Sequence, residues 1–88
     1  MIFITLAKYR KKPTKEIFAQ ADKLFEKTVH EGAKILDRYL TLGRYDGVTI
    51  IEARDEKAAM KYLARFGDIV STETLVAIPR EEARKLLD

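Results

Sequence analysis

The sequence predicts an α+β fold, four strands and two main helices in the order β-α-β-β-α-β, followed by a short C-terminal helix. Three observations carry this prediction. Apolar, β-branched runs stand near both ends, "MIFITLA" and "DIVSTETLVAI". Two segments between them place apolar residues at helical spacing. A Gly-containing junction, "TLGRYDGVTI", separates two further strand-like runs. At 88 residues the expectation is one domain spanning 1–88, in which each apolar face matters to stability.

The near-continuous hydrophobicity of Met1 to Ala7 predicts a central strand covered on both faces. After the basic loop "KYRKKPTK", Pro13 and Thr14 open a helix whose apolar positions are Ile17, Ala21, Leu24, Phe25 and Thr28, with Gly32 as its C-terminal cap. "AKILDRYLTL" alternates as the second strand and "YDGVTIIEA" supplies the third. Asp55 is placed to cap a second helix with the stripe Ala58, Ala59, Tyr62, Leu63 and Phe66, ended by Gly67. The last strand follows, and Pro79 suits the start of a terminal helix carrying Ala83, Leu86 and Leu87. The order is the ferredoxin-like split βαβ, with both helices on one face of a four-stranded antiparallel sheet.

The other face then needs water or a partner. Alternation sorts the strand residues into two sets. Ile2, Ile4, Leu6, Leu36, Leu40, Leu42, Val48, Ile50 and Leu75 are assigned to the helices. Phe3, Thr5, Asp37, Tyr39, Thr41, Tyr45, Thr49, Ile51, Val70, Thr72, Thr74 and Val76 are assigned to the free face, which mixes aromatic and hydroxyl groups as a covered, partly polar surface would. A two-residue hairpin at Gly43-Arg44 would set Tyr39 opposite Val48 and Leu40 opposite Gly47, mixing the two sets, so a three-residue or bulged turn is expected. In it Gly43 supplies backbone freedom, Gly47 allows close approach, and Asp46 accepts from turn amides.

Composition excludes several classes. The chain has no cysteine and one histidine, so neither a disulfide nor a Cys- or His-based metal site is expected, and no motif calls for a cofactor. Residues 1–7 are too short for a signal-peptide core and nothing approaches a membrane span, which places the expected location in the cytoplasm. The absence of Asn, a single Gln and abundant Lys, Arg and Glu match proteins of hot environments. Net charge is +3, with the excess concentrated in Lys8 to Lys15, where a solvated loop is the plain reading and a phosphate or nucleic-acid contact the sharper one.

From Tyr39 to Ile78 the sequence resembles the GYD domain family. Three features carry the resemblance in order: Tyr39-x-Thr-Leu-Gly-Arg-Tyr-Asp46, Glu52-Ala53 before an acidic helix start, and Gly67-x-x-x-x-Thr-Glu-Thr-Leu75. Gly47 departs from the pattern where an apolar strand residue is expected. The resemblance implies a ferredoxin-like unit akin to the dimeric α+β barrels, two sheets pairing through their helix-free faces.

The leading functional expectation is therefore a homo-oligomer, a dimer or larger, holding a small molecule between paired sheets. Tyr39, Thr41, Thr72 and Thr74 would hydrogen-bond it, with Arg44, Tyr45 and Asp46 at the rim. An enzyme is the alternative, with Tyr45, Asp46 and His30 as the candidates for acid-base work, and the resemblance implies a cofactor-independent isomerase or monooxygenase-like reaction. For His30 a solvated place at the end of the first helix is the plainer role. An RNA-binding module shares the element order, and Phe3 would be its strand-one aromatic, but "DGVTIIEA" lacks the stacking aromatics such a platform needs. A purely structural oligomer completes the set.

Overall fold

The computed structural model describes residues 1–87. Its elements follow the predicted order: β1 (Ile2–Tyr9), α1 (Lys15–His30), β2 (Lys34–Leu40), β3 (Gly47–Glu52), α2 (Glu56–Ala64), β4 (Val70–Ala77) and α3 (Arg80–Lys85). The strands form one antiparallel sheet in the order β2-β3-β1-β4, with β1 central.

Both main helices begin at a side-chain cap. Thr14 Oγ1 accepts from the Ile17 amide at 3.2 Å, and Asp55 Oδ1 from the Ala58 amide at 2.9 Å, each satisfying an N–H that the helix cannot. The Glu31 amide bonds back to Lys27 and the Ala33 amide to Thr28, across Gly32 at φ +113°, a conformation open to glycine and strained for other residues. Helix α2 stops at Ala64, three residues before Gly67, and tight turns from Arg65 to Ile69 lead into β4. Arg65 Nη2 contacts both Glu31 carboxylate oxygens, at 2.5 and 2.6 Å, and so ties the end of α2 to the end of α1.

The register corrects the assignment of the sheet faces. Across the helix-covered face run the rows Ile35-Ile51-Phe3-Val76, Arg38-Thr49-Thr5-Thr74 and Leu40-Gly47-Ala7-Thr72. Phe3, Ile51 and Val70 are buried there, Phe3 to 2% exposure. The free face instead carries Ile2, Ile4, Leu6, Val48, Ile50 and Leu75, so in β1, β3 and β4 the two sets trade places. Alternation separates the sets but does not say which one the helices cover, and here the aromatic and hydroxyl set is inside.

Strand β2 departs from this exchange, and its Asp37, Tyr39 and Leu40 lie on the faces expected of them. The irregularity lies at Leu36, inside the strand, and not in the turn. It moves Asp37 and Tyr39 to the free face beside Ile50 and Val48, and it turns Arg38 and Leu40 toward the helices. Tyr39 stands opposite Val48 and Leu40 opposite Gly47, the pairing of a two-residue hairpin, and with Val48 beside Tyr39 on the free face that pairing mixes nothing. The connection is longer than expected. Thr41 and Asp46 close it through a 3.0 Å backbone bond, with Leu42, Gly43, Arg44 and Tyr45 between them. Gly43 has φ +100°, the freedom expected of it.

Candidate functional site

The helix-covered face is not filled. One core cluster joins Phe3, Ala33, Ile51, Ala53, Ala59 and Tyr62, and a second joins Ala21, Phe66 and Val70 with Ala7, Tyr9, Leu24, Phe25 and Ile69 packed on it. An open-mouthed cavity of about 380 Å³ draws its lining from both. Its cause lies in the sheet, where the rows beneath it hold Gly47, Ala7, Thr5 and Thr49, side chains too short to reach the helices.

The lining has two characters. Phe18, Phe25, Tyr62 and Phe66 supply aromatic walls, with the Phe25 and Phe66 rings 4.8 Å apart. Thr5, Thr28, Thr49 and Thr72 supply hydroxyls. Two of these are engaged: Thr28 Oγ1 donates to the Leu24 carbonyl at 2.9 Å, and Thr5 shares a 3.1 Å hydrogen bond with Thr74. Tyr9, Asp22 and Arg38 make a third, charged corner. Arg38 Nη2 stands 3.3 Å from Asp22 Oδ1, and its guanidinium lies 3.8 Å over the Phe25 ring. Burial pushes the Tyr9 phenol above its ordinary value, Arg38 opposes that, and Asp46 and Asp22 add to it, so the phenol keeps its proton.

The residues expected at the site divide between this cavity and the two sheet margins. Thr72 lines the cavity and Tyr39 borders it, although the Tyr39 residue faces the open side and is 55% exposed. Thr74 reaches it only through Thr5. Thr41 Oγ1 donates to the Tyr45 carbonyl at 2.7 Å and so closes the β2–β3 loop. Asp46 accepts from the Tyr9 backbone amide at 2.8 Å, a β1 group and not a turn amide. Tyr45 donates its phenol proton to Glu73 Oε2 at 2.5 Å, which holds the phenol above its ordinary value, and the Arg44 guanidinium lies 5.6 Å from the Tyr45 ring centre. His30 is exposed in the last turn of α1, near the β1 end marked by Ile2, whereas Asp46 adjoins Ala7 and Tyr9. That is a separation of roughly 20 Å along β1.

Tyr9, Asp22, Thr28, Arg38, Thr49 and Tyr62 were not singled out in the sequence as a site. The one available signal was Gly47, a missing side chain in a strand, which marks a place where something else approaches. Phe3, the aromatic an RNA platform would need, lies buried under the helices and presents no ring to a base. Among the described residues no helix is long and apolar enough to cross a membrane, and no three His, Cys, Asp or Glu residues group as a metal site.

A βαββαβ sheet with a helix-covered cavity and an apolar free face defines a ferredoxin-like α+β protein. The chain belongs to the GYD domain family, whose model matches residues 3–87. No curated protein matches the sequence. Among solved structures it is similar to FFRP-DM1, at 20% identity and TM-score 0.55, covering 89% of this chain and 100% of that one. It is also similar to the hypothetical protein PHS023 from Pyrococcus horikoshii, at 18% identity and TM-score 0.56, covering 89% and 90%. A third similar structure is 5-chloro-2-hydroxyhydroquinone dehydrochlorinase from Burkholderia phenoliruptrix AC1100 in complex with 2,5-dihydroxybenzoquinone, at 17% identity and TM-score 0.54, covering 93% and 98%. At these identities the likeness shows the fold alone.

Proposed function

We propose that the protein is a homo-oligomer that binds a small, largely apolar molecule, and that the molecule lies between the helices and the sheet, not between paired sheets. The observation that carries this reading is the cavity of about 380 Å³, within the size range of small-molecule sites and combining aromatic walls with a few polar groups. Moving the hydroxyl-bearing set under the helices also removes the reason to seek the ligand on the free face. That face has an aliphatic centre bordered by Asp37, Tyr39, Glu52 and Glu73, suited to a second copy of itself.

Native mass spectrometry of freshly purified protein tests both parts. An oligomer carrying extra mass that Ala7→Leu fails to retain supports the reading. An oligomer without any bound molecule, in the wild type and after exposure to ring compounds, leaves a purely structural assembly. A clean monomer removes the pairing.

Catalysis on the bound molecule is a second reading, favoured by the protonated Tyr9 phenol at the charged corner of the cavity. The dehydrochlorinase of the same fold, solved with a dihydroxybenzoquinone, makes a single oxygenated ring a sensible first compound to offer. If turnover of such a ring is found, Tyr9→Phe is expected to lower kcat, and an unchanged kcat removes this role. Tyr45→Phe and Asp46→Ala test the β2–β3 loop in the same assay.

A further inference from the structure

We propose that the cavity selects an aromatic carboxylate, its ring held between the helices and the sheet and its carboxylate received by Arg38 in place of Asp22. The inference rests on the reading of the cavity as a ligand site and adds the chemical class of what enters it.

Arg38 is built to receive a planar anion. Its guanidinium carbon lies over the Phe25 ring, 3.8 Å from the ring centre, which steadies a two-pronged donor at the cavity edge. Its partner is loosely held: a single 3.3 Å contact joins it to Asp22, whose side chain is 61% exposed and free to turn into water. Among the described residues Arg38 makes no other side-chain hydrogen bond. Carboxylate against guanidinium forms two parallel bonds, a better match than the present single contact.

The surroundings favour the same sign of charge. Between Tyr9 and Phe18, whose rings meet edge to face 5.7 Å apart and line the cavity, the chain carries Arg10, Lys11, Lys12 and Lys15. Glu16 is the first acidic residue in the sequence. Opposing them near Tyr9 are Asp22 and Asp46, the latter already bound to the Tyr9 amide. Clustered cations beside a low-dielectric mouth draw anions in. The Tyr9 phenol, a hydrogen-bond donor in its protonated form, suits an anion as well.

The test uses the whole ¹⁵N-labelled chain at low ionic strength with two probes of the same ring, benzoate and benzyl alcohol, titrated separately and read from the amide shifts of Thr5, Ala21 and Thr49. Benzoate is expected to bind about tenfold more tightly, the scale of a charge-assisted hydrogen bond. Arg38→Gln should erase that preference while leaving benzyl alcohol binding in place. Asp22→Asn should tighten benzoate several-fold by removing its competitor, and this second variant keeps the proposal testable if Arg38→Gln does not fold. Equal affinity for the two probes, a preference that survives Arg38→Gln, or benzoate shifts confined to Lys11 and Lys12 overturns the inference and leaves the cavity as a neutral-ligand site. If neither probe moves the cavity amides, the cavity reading fails and this inference with it.

Discussion

Gly47 and Ala7 lie side by side on the helix-covered face, and together they contribute one methyl group to a layer that elsewhere holds Phe3 and Ile51. Ala7→Leu is therefore expected to fill the space and abolish ring binding, as read by the same shift titration, without the loss of stability that overpacking a closed core brings. A Cβ at Gly47 would stand 3.4 Å from the Tyr39 carbonyl, an ordinary contact. Gly47→Ala should raise stability by about 0.5–1 kcal/mol in urea unfolding, because the alanine loses less freedom on folding. Tyr45 makes a prediction of a different kind. Its bond to Glu73 raises the phenol above the ordinary value of 10.0, so the bond stabilises the fold below that pH and is lost as pH rises through the folded value. Glu73→Gln should bring the Tyr45 titration, followed by ¹³C NMR of the tyrosine rings, back toward the ordinary value.

The elements were legible in the sequence because their punctuation is local. Thr14, Gly32 and Asp55 do in the structure what their residue types announce, and a side chain capping an amide three residues away needs no tertiary context. Removing one such cap, Asp55→Ala, is expected to cost about 1 kcal/mol, measured by denaturant unfolding. What joins the helices was not legible. The Glu31 carboxylate is held below its ordinary range chiefly by its hydrogen bonds to Arg65, with Lys61 and Lys27 adding their charge. A depressed carboxylate contributes stability above its unfolded value of 4.5 and loses it as pH falls through the lower folded value. Acid unfolding of Glu31→Gln should accordingly lack that part of the wild-type pH dependence.

At the scale of the molecule the proposed assembly rests on the free face. Ile2, Ile4, Leu6, Val48 and Ile50 make a central aliphatic patch, bordered by Leu75 at 44% exposure and Tyr39 at 55%. Monomers seldom leave such a patch to water. Ile4→Lys or Ile50→Lys is expected to convert a wild-type oligomer to monomer in sedimentation analysis while leaving the helix-side cavity able to bind its ring. Joint loss of assembly and binding would instead mean that the site needs the partner copy.

The element order, the caps and the family were determined by the sequence itself, because helical spacing, turn residues and the Tyr39 to Ile78 motifs are properties of neighbouring residues. Which sheet face the helices cover, and hence where a ligand has room, was decided only by tertiary structure. Both sets of strand residues are apolar enough to be buried, and the bulge at Leu36 that reverses Arg38 and Tyr39 comes from pairing with β3. Arg38 meets Phe25 and Asp22 across the gap between β2 and α1, and no local pattern in the chain could have announced that corner.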